Sequence, residues 1–416
     1  MKKNIWIWNH YATNMYKDQG GRHYWFAENL MKKGYDTTIF CASTVHNSDE
    51  NFNTGNKLFT KEFANKVPFV FIKTPSYNNG KQRVKNMLIF FNNIIKVAKE
   101  FAKKNGKPDV ILASSVHPLT LVAGIKVAKK FGIPCICEVR DLWPETLVEY
   151  GSLKKNRILT KILYMGEKWI YKNADKLIFT MEGGKDYIIN NKWDKSNGGP
   201  VDLKKVYYVN NGVDLTSFEK NLIENTFIDK DLDDDSCFKV VYTGTIGKAN
   251  NVMKIIKVAK HLVNNNKESI KFIIYGDGPQ KEELINYCKV NKINNVVFKG
   301  RVKKSSIPHI LNKSDLNILI FEQNNLKNYG ASLNKLFEYL ASGKPVISDC
   351  EFGYDIIKSY QCGWVLNNGS EKEIAKKIVE ISKLPKNEYN DYCENAVVAA
   401  KDFDFKVLTI KLEDVI

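Results

Sequence analysis

At 416 residues, 44% hydrophobic and 26% charged, the chain is too long for one compact core. Cores split beyond ~250–300 residues, so two domains of about 200 residues each are expected. Residues 1–215 carry 34 Lys and Arg against 19 Asp and Glu, a net +15, whereas residues 216–416 carry 29 against 27, a net +2; so basic a half suggests a polyanionic partner such as an anionic membrane, a pyrophosphate-linked substrate or nucleic acid, a lysine-rich solubilising surface being the plainer alternative.

In chain order, short β-rich runs alternate with helix-like stretches. Strands are expected at residues 5–10, 37–43, 69–74, 109–115, 134–141, 176–182 and 206–212, with helices at 21–33 and at 119–131, the latter stopped by Gly132. Several runs are continuously apolar, as in strands buried on both faces of a parallel sheet. The acidic segment 218–236 reads as an irregular interdomain linker with a solvated Asp233-Asp-Asp235. The alternation then resumes. Strands are expected at 238–244, 271–276, 296–301, 316–321, 345–349 and 363–366, and helices at 252–264, 280–290, 305–311 and 333–342. This is the pattern of an α/β protein with two Rossmann-like, doubly wound parallel-sheet domains facing a cleft, which suits a two-substrate reaction.

The N-terminal apolar run is too short for a secretory signal, and no run reaches the ~18 apolar residues of a spanning helix. Eight scattered cysteines form no C-x-x-C pair and read as buried reduced thiols in a cytoplasmic protein; the six histidines are equally scattered, which disfavours a zinc site.

The densest constellation is Asn328-Tyr-Gly-Ala-Ser-Leu-Asn-Lys-Leu-Phe-Glu-Tyr-Leu-Ala-Ser-Gly-Lys-Pro-Val-Ile347. Gly330, Ala331 and Ser332 make a small-residue turn. It feeds a helix start at Leu333 and Asn334 whose unpaired N–H groups and dipole favour a phosphate. Lys335 lies in that first turn, and Glu338 one turn on suits two ribose hydroxyls. An ordinary amphipathic helix with a Lys335–Glu338 pair is the plainer alternative.

This stretch resembles the C-terminal signature of retaining glycosyltransferase family 4, which has the GT-B fold. The family carries Glu-x7-Glu before a Gly-x-Pro-Val-Ile ending. Glu338 matches the second glutamate, and Gly330 replaces the first, so amides at Ala331 and Ser332 are expected to take over its contact with the donor sugar. Other matches follow in the family's order: Gly20-Gly21-Arg22-His23, Asn211-Gly-Val-Asp214, the Gly244 and Gly247 loop, Gly276 in Tyr275-Gly-Asp-Gly-Pro279, and Gly300-Arg301-Val302. The resemblance implies diphosphate binding at the glycine loops and base recognition near Arg301 and Val302. Where the family offers Arg and Lys to the leaving diphosphate, this chain has Thr245 and about Asn250, so Lys248 and Lys335 are expected to supply the charge. Gly244-x-x-Gly247 lacks dinucleotide spacing and does not predict NAD.

In the first half, Glu138-Val-Arg-Asp-Leu-Trp-Pro-Glu145 runs off a strand at its carboxyl end. It resembles the subgroup of bacterial N-acetyl-fucosamine transferases of O-antigen and capsule synthesis. Asp141 is a candidate to orient or deprotonate an acceptor hydroxyl, Arg140 to hold a phosphate, and Glu145 and His117 to bind sugar. A loop-bracing Arg140 ion pair is the structural alternative. Residues 81–104 and 153–171 are basic and amphipathic, fit to lie on an anionic bilayer or simply to pack on the core.

The resemblance therefore implies an acceptor domain (1–215), a donor domain (216–400) and a helix (401–416) returning to the first. The donor is expected to be a UDP-sugar and the acceptor a polyprenyl-diphosphate-linked saccharide. Transfer would proceed with retention and without a metal, at the inner face of the cell membrane. A UDP-N-acetylhexosamine 2-epimerase and a non-enzymatic basic membrane-binding protein are the alternatives; no nucleic-acid-binding module is recognisable.

Overall fold

The computed structural model describes residues 3–46 and 48–416. It divides into two compact units, one of residues up to Asn210 together with Phe405–Ile416, the other Asn211–Asp404.

The first unit is built on eight strands: β1 (Asn4–Trp8), β2 (Asp36–Ala42), β3 (Phe59–Ala64), β4 (Val67–Ile72), β5 (Val110–Ser114), β6 (Cys135–Val139), β7 (Lys176–Phe179) and β8 (Val206–Tyr208). Their order is β3-β4-β2-β1-β5-β6-β7-β8. All pair in parallel except β3, which runs antiparallel to β4. β4, β5 and β6 are buried throughout, which explains their unbroken apolar runs. The chain leaves β1 in one direction and returns through β5 on its other side. The β1/β5 boundary is thus the topological switch point, where open α/β sheets present ligand sites at their carboxyl ends. The closing helix Phe405–Glu413 lies on the helix Arg22–Lys32, with Phe26 and Phe405 ring centroids 5.5 Å apart and Asn29 Nδ2 3.4 Å from Thr409 Oγ1.

The second unit is a six-stranded parallel sheet in the order β11-β10-β9-β12-β13-β14. Its strands are β9 (Phe238–Thr243), β10 (Ile270–Tyr275), β11 (Val296–Gly300), β12 (Leu316–Leu319), β13 (Val346–Ser348) and β14 (Gly363–Val365). Here the switch point lies between β9 and β12. The helix Val252–Val263 buries Ile255, Ile256, Val258, Ala259 and Leu262 against the sheet.

Two expectations are corrected. The sequence pattern did not mark β3, because an edge strand with Lys61 and Glu62 exposed carries no continuous apolar run. Segment 218–236 is not a linker. Asp214 accepts a bond from Ser217 N and caps the helix Leu215–Glu224, which buries Phe218. The acidic residues that follow are neutralised by the second unit's own lysines. Lys299 Nζ lies 2.6 Å from both Asp229 and Asp231, Lys271 Nζ lies 2.7 Å from Asp234, and Lys313 pairs with Asp233. Only Asp235 keeps a fully exposed side chain. The chain passes between the units at Asn210–Asn211 and Asp404–Phe405.

No described helix is long and apolar enough to cross a membrane. All eight cysteines are free, and only Cys393 is not fully buried.

Candidate functional site

In the second unit the carboxyl edge is made of stacked backbone. Gly244 N donates to Tyr275 O at 2.9 Å, Gly276 N to Gly300 O at 2.8 Å, and Ile246 N to Asp277 O at 2.9 Å. Gly276 has φ +155°, and a Cβ there would lie 1.8 Å from Gly244 O; one on Gly278 would lie 2.2 Å from Ile246 O. No side chain fits between these loops, so glycine is required for their close approach. Gly247 opens the short turn Lys248–Asn250, which leaves Lys248 exposed. Arg301, just past Gly300, is exposed and Val302 half-buried.

Against this edge stands the helix Asn334–Ala341. Tyr339 fastens it by accepting a bond from Thr243 N (2.9 Å) and donating to Thr243 O (3.3 Å). Leu333 at its N-cap is extended and offers no side-chain cap to the first-turn amides. Ser332 accepts from Asn211 through both Oγ (3.4 Å) and O (3.2 Å), joining two of the sequence-flagged segments. Gly330 has φ +95°, a backbone that L side chains rarely adopt, so a glutamate there would be strained. This is a physical reason for the departure from Glu-x7-Glu.

Lys335 is the centre of the arrangement. Its ammonium lies 2.7 Å from Asn250 Oδ1, 3.1 Å from Tyr242 Oη and 4.5 Å from the Tyr242 ring centroid. A Cβ on Gly244 would come within 3.0 Å of it. Asn250 thus stands where a cation is usual and holds a cation delivered by another element. Burial pushes Lys335 down to about 7, with Glu338 opposing. Glu338 is largely buried but reaches the surface through an ion pair with Lys304, whose side chain is 65% exposed and free to move aside.

In the first unit, Gly21 (φ +96°) caps the helix Arg22–Lys32, but its first residues do not face solvent. Arg22 contacts Glu138 through Nε (2.8 Å) and Nη2 (2.7 Å) and donates to the carbonyls of Val209 and Asn210. His23 Nε2 and Ser114 Oγ reach the other Glu138 oxygen at 2.9 and 2.8 Å. Arg22 and His23 outweigh burial and hold the Glu138 carboxyl well below the usual range. The bracing ion pair of this region is therefore Arg22–Glu138. Among the described residues none pairs with the Arg140 guanidinium, so the expected Arg140 brace is not formed. Asp141 is exposed, and its carboxyl is raised by the surrounding protein mass against the pull of Arg140. Glu145 is engaged by Tyr164 Oη and, at 3.7 Å, by Lys155, so its carboxylate braces the helix Ile158–Asn173.

His117 ends the loop after β5 and is 2% exposed. Its Nε2 lies 2.6 Å from His10 Nδ1, and His10 Nε2 lies 2.7 Å from Asn86 Oδ1. Burial and nearby Arg83 push His117 down to about 3. Beside it Tyr11 stacks on His46 at 4.3 Å and accepts a bond from Arg83 Nε at 2.9 Å. Sequence reasoning missed His10, Asn86, Arg83 and His46. Only His10 carried a signal, as the polar residue just beyond an apolar strand at the chain's first turn.

The helix Ile158–Asn173 turns Thr160, Glu167, Ile170 and Tyr171 inward. Ile158, Leu159, Ile162, Met165 and Trp169 are left 41–79% exposed. On the helix Gly80–Asn105, Ile94 and Ala98 are core, whereas Val84 and Leu88 are exposed.

Glycosyltransferase Family 4 matches residues 24–217, and Glycosyl transferases group 1 matches residues 224–398. The probable glycosyltransferase WbjE of Pseudomonas aeruginosa is 24% identical over 66% of this chain and 66% of its own length. Protein CapJ of Staphylococcus aureus is 28% identical over 64% and 60%. The chain thus spans just under two thirds of the length of the curated relatives it matches. HepE of Anabaena, solved in complex with UDP and glucose, superimposes with a TM-score of 0.68 at 13% identity, over 100% of this chain and 99% of that one, a likeness of fold. Between them the two family matches span most of the sequence, a Glycosyltransferase Family 4 match followed by a Glycosyl transferases group 1 match, on two Rossmann-like sheets with the GT-B fold.

Proposed function

We propose that the chain is a retaining glycosyltransferase of cell-surface polysaccharide synthesis. It moves a sugar, an N-acetylated hexosamine or deoxyhexosamine, from a UDP-sugar to a polyprenyl-diphosphate-linked saccharide. The observation that carries the donor half is Lys335, a lysine at a helix start under three stacked glycine loops whose ammonium is hydrogen-bonded to the neutral Tyr242 and Asn250. A diphosphate at this edge meets that ammonium, Lys248, and the amides from Ala331 to Asn334. Glu338 releases Lys304 and accepts from the ribose hydroxyls, while the backbone at Gly276, Arg301 and Val302 receives the base. HepE's complex with UDP and glucose supports a uridine nucleotide as the donor. The leaving phosphate oxygen takes the acceptor's proton, which yields retention without a metal. In the first unit Asp141 addresses the acceptor hydroxyl, His117 binds sugar and Arg140 holds a phosphate.

The acceptor half rests on charge and exposure. Lys154, Lys155, Arg157 and Lys161 flank the exposed apolar stripe of the helix Ile158–Asn173. Such a face lies in the interface of an anionic bilayer, each surface cation contributing up to ~1 kcal/mol. This face supports a peripheral position at the cytoplasmic side of the membrane.

Calorimetric titration with UDP, followed by hydrolysis of a panel of UDP-sugars, tests the donor. No UDP affinity refutes the transferase, and formation of a new sugar nucleotide without acceptor identifies an epimerase. Co-sedimentation with phosphatidylglycerol vesicles tests the membrane: reversing Lys154, Lys155 and Arg157 to Glu should abolish binding, and unchanged partitioning refutes it.

A further inference from the structure

The switch point of the first sheet carries a chain of four polar groups whose hydrogen-bond directions follow from one fixed end. The carbonyl of Pro75 can only accept. Asn86 approaches it with Nδ2 at 2.6 Å and approaches Thr44 Oγ1 at 3.2 Å. The opposite amide orientation would set two oxygens against each other, so Asn86 Oδ1 faces His10. His10 Nε2 must then donate to Oδ1 (2.7 Å). A neutral His10 has one N–H only, so its Nδ1 is an acceptor. His117 Nε2, 2.6 Å away, is therefore the donor, and His117 Nδ1 carries a lone pair.

His10 is neutral for reasons of place. It is fully buried and stacked on Phe90 at 4.2 Å. The charged and titratable groups around it are Arg83 on the helix Gly80–Asn105, His46 after β2 and His117 after β5, and each opposes its protonation as burial does. No carboxylate is among its neighbours in that set.

The far end of the chain is the informative one. His117 Nδ1 is buried and has no hydrogen-bond partner among the described residues. An unsatisfied buried acceptor costs ~1–3 kcal/mol, and such atoms are few in native proteins. This one stands beside β1 at the carboxyl end of β5, where a doubly wound sheet presents its ligand.

We propose that His10 and Asn86 are positioning residues that lock His117 as its Nε2–H tautomer, so that Nδ1 offers a lone pair to a hydroxyl of the saccharide substrate. The polarity excludes a phosphate oxygen at this atom, because a phosphate brings acceptors to an acceptor. Only the word saccharide rests on the transferase reading; the locked polarity does not.

Two-bond nitrogen–proton spectra of the full chain labelled with 15N-histidine read the tautomers directly. At about pH 7.5, above the free-imidazole range, His10 and His117 should both show a protonated Nε2 and a bare Nδ1. UDP-N-acetylglucosamine should move the His117 Nδ1 resonance. Asn86→Asp supplies a carboxylate, charges His10, makes both its nitrogens donors and should turn His117 to the Nδ1–H form. A purely packing role for Asn86 predicts no such inversion. In UDP-N-acetylglucosamine hydrolysis, His117→Asn sets an amide oxygen where Nδ1 stood, and His117→Gln sets its amide near Nε2. The Asn variant should retain about tenfold more kcat than the Gln variant. A wild-type His117 bearing the proton on Nδ1, an unmoved tautomer in Asn86→Asp, or Gln outperforming Asn each overturns the proposal. Absence of UDP affinity in the wild type would sink the transferase reading while the spectra still decide the relay.

Discussion

At the carboxyl edge of the second sheet, backbone meets backbone: Gly244, Gly276 and Gly278 let three loops touch, and one lysine is threaded among them. At the same edge of the first sheet, side chains meet side chains: Arg22, His23 and Ser114 converge on Glu138, and Asn86, His10 and His117 form a line. The first edge tolerates no added atoms. The other tolerates no change of charge or proton. The difference suits the ligands proposed for each, since a diphosphate is gripped by amides and a cation, while hydroxyls are sorted by the direction of single hydrogen bonds.

The comparison breaks most visibly at Gly276. Gly276→Ala sets a methyl group 1.8 Å from a carbonyl oxygen at a φ of +155°. Calorimetry should find UDP binding lost outright, with the melting temperature of the second unit lowered by several degrees, about the effect of a few kcal/mol. Retained affinity would mean the loops slide freely and backbone contact is not what shapes this edge.

The counterpart in the first unit is Glu138→Gln. It keeps volume but leaves Arg22 buried without its counter-ion, at a cost of about 3–5 kcal/mol in urea unfolding. The sign with pH is testable too. The Glu138 carboxyl lies well below the usual range in the folded protein, so its stabilisation is present above the ordinary carboxylate range and is lost as pH falls. The variant should lack that acid-dependent loss.

These edges were unequally legible in the sequence. Glycines at Gly244, Gly276 and Gly330 announce themselves, because close approach or a left-handed φ leaves no other residue. Lys335 and Glu338 were legible for the same local reason: one helix turn fixes their spacing. The strands β5 and β6 were legible because burial on both faces writes a continuous apolar run. The relay was not, since His10 lies 107 residues from His117 and 76 from Asn86, and no local pattern encodes a contact made by the sheet order. Glu138 was noticed as the start of a motif, yet its partners Arg22 and His23 were read as part of a phosphate loop, because solvent exposure of a helix start cannot be read from the helix alone. The acidic segment 218–236 was misjudged because the lysines that neutralise it, Lys271, Lys299 and Lys313, are remote in sequence.

Lys335→Met sharpens the donor side. Removing the cation held against Gly244 should weaken UDP affinity and turnover together by about 10²–10³-fold, the scale of losing a preorganised charge donor. Glu338→Ala should cost less, about tenfold in UDP affinity, because the lost bonds to ribose are offset in part by the freed Lys304 ion pair. Uracil-free pyrophosphate should be insensitive to Glu338 and sensitive to Lys335.

The smallest effect is the most diagnostic, because only one edge should titrate near neutrality. Lys335 sits at about 7 without an anion, and a bound diphosphate must raise it. Affinity for a UDP-sugar, whose pyrophosphate diester has no proton to lose in this range, should be flat below about pH 6 and fall about fivefold between about pH 7 and about pH 8 as the free ammonium empties. Binding at about pH 7 should take up roughly half a proton, read from calorimetry in buffers of different ionisation enthalpy. His10 and His117 of the first unit are held neutral by burial and by Arg83, so they contribute no uptake. The fall should vanish in Lys335→Met and persist in His117→Asn. The reverse pattern would place the titrating group in the first unit, and the contrast between an edge that binds charge and an edge that orients hydroxyls would have to be inverted.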